Sequence, residues 1–315
     1  MTKVNSRSIR GKVDDYINEN IIRQLPNDHI LIDTGWLESN DSAIAQLNDT
    51  KVAVCYSGID WENTDCIEPR RNAHKLIQQK SKAQIHIGNS NSPYYFSYWV
   101  EFIRQYPDHF FDSVYTVTPQ IEKLFLSLNR KEYPHRNFFL DLLDKNNLTN
   151  LGFVSRPNNS VGKITYTIDP YDGEGNFQNP PNDIYSLGDP DIWSKIFINV
   201  IVETTKHTNV FLSEKTWKPI IGLRPFLILG DDQLYPKLKE LGYDTFDDIF
   251  GTWWHKPLWQ DRARSIIDIL QQFGEQEKDL NKLYLHLHPR LLYNRNNFIT
   301  HMNINHNKIC NLGLT

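Results

Sequence analysis

Short unbroken apolar runs, each followed by a stretch with helical spacing, organise this 315-residue chain. Runs rich in Val, Ile, Leu and Phe with no polar alternation are the mark of strands covered on both faces, as in parallel sheets. They stand at 29–33, 51–56, 83–88, 113–117, from Lys123, from Gly152, and at 196–202 and 225–229. Between them, helices are expected over 13–25, over the polar stretch 72–82, from Pro134, and over 233–241, where Gly242 supplies a left-handed cap. The tail 262–299 reads as an amphipathic helical segment with apolar positions at Ile266, Ile267, Ile269 and Leu270. Strand and helix in alternation predict a parallel α/β sheet.

Residues 1–48 read as an N-terminal extension and 49–120 as a first α/β domain. A second α/β domain covers 121–285, carrying a turn-rich, hairpin-bearing insertion at 156–192. The final segment, 286–315, is expected to return toward the first domain. With 39% hydrophobic and 23% charged residues, the chain can fill two cores. The aromatic run Tyr94 to Trp99 has helical spacing and reads as core, whereas Trp253-Trp254-His255, in a loop, is expected to line a cleft.

The stretch with the most chemistry begins at Val200. An apolar strand ends in Glu203-Thr204-Thr205, Phe211-Leu212-Ser213-Glu214-Lys215 opens a helix, and a second apolar strand, Pro225 to Leu229, ends in Gly230. Such a unit can hold a phosphorylated ligand at the carboxyl ends of parallel strands. Ser213 suits a helix cap, and the backbone N–H groups behind it favour an anion in front of them. Lys215 places a cation in the first turn, where cations are disfavoured unless an anion is bound. Glu203 and Glu214 would repel phosphate and suit the hydroxyls of a ribose or sugar. Pro219 lacks an N–H, so the helix either starts later than Ser213 or is bent.

This segment resembles the donor-binding motif of the family 10 fucosyltransferases and of related phage and marine-virus glycosyltransferases. A second resemblance lies upstream, where Lys123 to Ser127, then Asn129-Arg130 and Pro134-His135-Arg136, are similar to the strand, loop and arginine-bearing helix that begin their donor domain. Together the two cover about two fifths of the chain, roughly 120 to 250. The resemblance implies a GT-B-like fold, two facing Rossmann-like domains around a cleft, with the nucleotide sugar on the second domain and the acceptor on the first. It implies that Arg136 contacts the donor pyrophosphate and Lys215 a phosphate, that Glu214 holds the ribose, and that Glu203 is the acid ending the preceding strand. Asn129, Arg130, His135, Thr204 and Ser213 complete the implied donor set. Arginine, lysine and a helix amino terminus would stabilise a diphosphate leaving group without a metal or other cofactor.

Inverting transfer also needs a base. His86-Ile87-Gly88-Asn89 faintly resembles the family segment that carries the catalytic carboxylate, but Asn89 occupies the acid's place and an amide cannot serve. His86, Asp60 and Glu62 are the candidate bases, one being expected to act.

Net charge is −4, so no global basic field recruits nucleic acid or an anionic membrane. Cys55, Cys66 and Cys310 make neither a disulfide framework nor a zinc pattern. His286 and His288 lack a third ligand for a metal. No stretch is long enough for a membrane span and the first residues lack the apolar core of a signal peptide, so the expected compartment is cytoplasm, that of a virus-infected host included. Two acceptors remain open: a glycan, or a hydroxymethylated base in viral DNA. The alternative is a non-catalytic nucleotide-binding or structural module with a decayed transferase fold.

Overall fold

A computed structural model describes residues 29–33, 52–56, 84–87, 97–111, 120–157, 162–166, 186–204, 210, 212–275 and 279–311. The expected helices at 13–25 and 72–82, the strand at 113–117 and most of the insertion lie outside them. The chain forms two compact units, Met1–Gln105 with Thr300–Thr315, and Tyr106–Ile299.

The first unit holds a parallel sheet in the order β1 (His29–Asp33), β2 (Val52–Tyr56), β3 (Gln84–Ile87). The strand expected in the amino-terminal extension is thus paired along its whole length with β2. The unit also contains α1 (Tyr98–Gln105), in which Trp99, Val100, Phe102 and Ile103 are buried. Burial of Trp99, edge-on to Phe102 with centroids 5.9 Å apart, agrees with a core role for the end of the aromatic run. Ser97 accepts from and donates to Asn305, which ties α1 to the chain's last helix.

The second unit is built on a four-stranded parallel sheet flanked by helices: β4 (Lys123–Ser127), β5 (Gly152–Val154), β6 (Ile196–Val202) and β7 (Phe226–Leu229), ordered β5-β4-β6-β7. All of β6 and β7 is buried, as is β4 beyond Lys123, which is why these strands carry no polar alternation. The helices are α2 (Pro107–Phe110), α3 (Pro134–Lys145), α4 (Pro190–Lys195), α5 (Glu214–Ile221), α6 (Leu234–Glu240), α7 (Asp247–Phe250), α8 (Trp259–Glu275) and α9 (Leu280–Asn311), the last continuing into the residues of the first unit. Pro134 and Pro190 occupy first-turn positions, where a missing N–H costs nothing. Helix α8 packs on α3, β4 and β7, and Phe197 of β6 meets Phe273 of α8 at 5.9 Å between centroids. Trp217 of α5, fully buried, lies against Phe298 of α9 at 5.2 Å.

Gly242 is left-handed, φ +83°, and the N–H of Tyr243 reaches back to the carbonyl of Leu238 to close α6 as expected. The tail is helical as expected, in α8, ending at Gly274-Glu275, and α9, starting at Leu280. One expectation is corrected. The Trp253-Trp254 pair does not line a cleft: both are buried, because Tyr235 stacks on Trp254 at 5.5 Å and abuts Trp253 edge-on at 5.2 Å. Among the described residues no helix is long and apolar enough to cross a membrane.

The strand order decides where a ligand fits. From β4 the chain moves to β5 on one side and then to β6 on the other, so the order reverses between β4 and β6. Connections that leave in opposite directions part above the strand ends and open a crevice at the carboxyl edge. Asn129 and Arg130 follow β4, and Glu203 and Thr204 follow β6.

The core beneath that edge is tight enough to test. A Cβ added at Gly152 would stand 2.6 Å from two ring carbons of Phe125, itself fully buried. Gly152→Ala is expected to destabilise the protein by about 1–3 kcal/mol, the usual cost of overpacking, seen as a lower urea midpoint with an unchanged slope.

Candidate functional site

The site is assembled around the carboxyl end of β6, starting with its backbone. The Val202 carbonyl accepts from Nε and Nη2 of Arg136 at 3.3 and 3.2 Å, and the Glu203 carbonyl accepts from Nε2 of His135 at 2.7 Å. Arg136 Nη1 also donates to the Lys131 carbonyl at 3.1 Å, and its guanidinium lies 5.0 Å from the Tyr133 ring centroid. Pro134 starts α3 immediately before these residues, so its first turn carries His135 and Arg136 against the end of β6. Both are buried. Burial lowers the Arg136 pKa, opposed chiefly by the charge of Glu203, with Tyr133 and Glu214 adding to it.

The Glu203 side chain turns to the start of α5. Its carboxylate accepts from the Ser213 hydroxyl, 2.7 Å from Oε1 and 2.9 Å from Oε2, from the Thr216 hydroxyl at 3.0 Å and from the Thr204 N–H at 3.3 Å. The Ser213 oxygen in turn accepts from the Lys215 N–H at 3.2 Å, making Ser213 the cap that its position predicts. The late start envisaged because of Pro219 does not occur: α5 begins at Glu214 and carries Pro219 inside it. Hydroxyl groups do meet Glu203, but they are the protein's own.

Glu214 is buried and pairs with Lys215 Nζ at 2.7 Å. Burial alone would raise the Glu214 pKa, but the adjacent Lys215 ammonium holds it below the usual carboxylate range. The Lys215 pKa is raised, burial being outweighed by Glu214 and Glu203. Lys215 keeps 29% of its side chain exposed, so it can reach a ligand.

Sequence reasoning missed Lys218. It lies four residues after Glu214 and three after Lys215, the spacings that put side chains on one helix face. The residue is 7% exposed, and its side chain makes no hydrogen bond or ion pair with any described residue. Its ammonium feels Glu214 and Lys215 from its own helix and Arg130 from the loop after β4. Burial is the largest influence and pulls its pKa from 10.5 down to about 7. The helical spacing was the available signal, but the apolar neighbours Trp217, Pro219 and Ile220 made the segment read as a packing face.

Asn129 is fully buried on the β4 side. Its N–H donates to Ser155 Oγ at 2.8 Å and its amide nitrogen to Ser127 Oγ at 3.1 Å, while Oδ1 has no hydrogen-bond partner among the described residues. The structure therefore gathers Asn129, Arg130, His135, Arg136, Glu203, Thr204, Ser213, Glu214 and Lys215 at the ends of β4 and β6 and the adjoining starts of α3 and α5, and adds Lys218. Four cations face two carboxylates there, a balance that favours an anion. His86 lies in β3 of the other unit, paired in register with Val54. Asp60 and Glu62 lie outside the described residues.

Both Arg136 and Lys215 should matter for stability. Arg136→Ala removes the donors to two carbonyls, and Lys215→Ala leaves the buried Glu214 carboxylate without its ion-pair partner; each is expected to cost about 2–4 kcal/mol, and urea titration of both variants measures this.

No family model, no curated protein and no solved structure matches this chain.

Proposed function

We propose that this chain is a GT-B-like glycosyltransferase that moves a sugar from a nucleoside-diphosphate sugar to an acceptor hydroxyl, with inversion and without a metal. The observation that carries this reading is the cationic cluster of Arg130, Lys215 and Lys218 around the capped start of α5, at the carboxyl ends of β4 and β6 where the strand order reverses. A diphosphate carries the charge such a cluster neutralises, and crevices at this place in open α/β sheets bind nucleotides.

In the reaction, the acceptor oxygen bonds to the anomeric carbon as the bond from that carbon to the diphosphate oxygen breaks. A base takes the acceptor's proton, and the nucleoside diphosphate leaves with an additional negative charge. Lys215 and the α5 amino terminus stabilise that charge as it forms. Arg136 supports them indirectly: its guanidinium holds the end of β6, so its part in donor binding is to position Glu203, and through it Ser213. The acceptor is a glycan or a hydroxymethylated base in DNA, and the base is His86, Asp60 or Glu62. A non-catalytic nucleotide-binding module is the second reading, favoured by Asn89 where the resembled family has its carboxylate.

Thermal-shift titration against nucleoside diphosphates and their sugars tests the donor half, because a ligand bound only by the folded state raises the apparent melting temperature. One of them should stabilise the wild type, and Lys215→Ala should weaken its binding about tenfold or more. Turnover should survive EDTA; a rate abolished by EDTA and restored by manganese would replace the metal-free mechanism.

The base is found by His86→Asn, Asp60→Asn and Glu62→Gln. One of these is expected to lower turnover by about two to four orders of magnitude with donor affinity kept, since a general base acts in the transition state. Donor binding without turnover, unchanged in all three variants, would favour the non-catalytic module.

A further inference from the structure

Lys218 has no evident structural task. A buried ammonium with no acceptor is costly, and a helix position facing a protein interior is ordinarily filled by an apolar side chain. Its neighbours Trp217, Ile220 and Ile221 are such residues, each almost fully buried. The charged groups around Lys218 do not compensate it. Glu214 is drawn to Lys215 at 2.7 Å, and Arg130 and Lys215 both repel it. Glu203 and Arg136, which couple to Lys215, are committed to Ser213 and Thr216 and to the Val202 carbonyl. Among the described residues, the protein's own side chains thus leave Lys218, in the last turn of α5 on the face it shares with Glu214 and Lys215, without an ion-pair partner.

We propose that Lys218 is a ligand-binding cation of this site, its ammonium receiving an anionic oxygen of the ligand, and that binding draws a proton from solvent onto the amine. Resting on the donor reading above, the anion is a phosphoryl group of the nucleoside diphosphate. Lys215, partly exposed and already paired with Glu214, and Lys218, buried and unpaired, then divide the diphosphate charge between them.

The direction of the pH dependence follows. With its pKa near 7, the Lys218 amine is mostly neutral in the free protein at pH 8. An anion against it favours the ammonium and raises that pKa, so one proton is taken up on binding. Affinity is fully developed below about pH 7 and falls as pH rises above it, until the pKa of the bound state is passed. For the nucleoside diphosphates, working at pH 8 keeps the ligand's own titration out of the measurement, since the terminal phosphate's second ionisation lies near pH 6.

The test is calorimetric titration of the full chain at pH 8 with inorganic pyrophosphate and with ADP, CDP, GDP and UDP, in buffers of different ionisation enthalpy so that proton uptake is read directly. The wild type should take up most of a proton per ligand bound. Lys218→Met should bind about tenfold or more weakly and take up none. Lys218→Arg, charged throughout, should keep affinity and lose the uptake. Lys215→Ala should bind more weakly yet keep it. Binding without uptake in the wild type overturns the proposal whether or not Lys218→Met folds, as does unchanged affinity in that variant, or no binding of any of these anions. If a nucleoside diphosphate binds independently of Lys218, the donor reading stands and this inference falls. If pyrophosphate alone binds, with uptake and through Lys218, the inference stands and the donor reading falls.

Discussion

The carboxyl end of β6 is the constraint on which the rest of the site depends. A central strand of a parallel sheet runs fully buried to its last residue and then presents carbonyls that no neighbouring strand satisfies. Here Arg136 takes the Val202 carbonyl and His135 the Glu203 carbonyl, so the first turn of α3 is fastened to the strand end. With its backbone held on one side, Glu203 projects its carboxylate to the other and receives the hydroxyls of Ser213 and Thr216. Two helices that start in different parts of the chain are thereby aligned by one residue. The same device recurs one strand over, where Arg262 Nη2 donates to the Gly230 carbonyl at 2.9 Å just beyond β7.

Charge at this edge is arranged at some energetic expense. Glu203, Glu214, Arg136 and Lys218 are all nearly excluded from solvent. Taking an ion out of water costs several kcal/mol, and pairing returns that only when the geometry is good. Glu203 has hydroxyl and N–H donors and Arg136 has carbonyls, so these two are well satisfied. Glu214 with Lys215 is satisfied as a pair. Among the described residues the Lys218 side chain has no ion-pair partner, and the buried Asn129 amide oxygen across the strand reversal has no donor. Apolar side chains would stabilise the fold better at such positions, and unmet polar groups in a crevice are the usual trace of a site shaped for something other than the protein itself.

Much of the sheet was legible because burial on both faces leaves an unbroken apolar run: β4, β6 and β7 were each placed to within a residue or so. Caps were legible for a similar reason, since Pro134, Ser213 and Gly242 each do something at a helix end that few residues can. The short helices α2, α4 and α7 escaped because a single turn has no periodicity to display. Trp253 and Trp254 were assigned to a cleft from their place in the chain, whereas their burial depends on Tyr235 of α6, a contact that no local pattern reveals. The site divided along the same line. That Glu203, Ser213, Glu214 and Lys215 belong together follows from their spacing. That Arg136 spends its donors on the Val202 carbonyl depends on α3 meeting β6, which lies 66 residues away in sequence.

That last contact changes what the arginine is for. Read as a lone cation at a helix start, Arg136 is a natural partner for phosphate. Read in the fold, most of its hydrogen-bonding capacity is already used by Val202 and Lys131, and its face is covered by Tyr133. On the donor reading, the cations of α5 that the backbone does not need are Lys215 and Lys218, with Arg130 from the loop after β4 beside them. The two sit one turn apart on α5, behind N–H groups oriented by Ser213. The two differ in exposure: Lys215 keeps 29% of its side chain in contact with solvent and is paired with Glu214, whereas Lys218 is 7% exposed and burial lowers its pKa. An anion brought against Lys218 would favour its charged form, as Glu214 already favours that of Lys215.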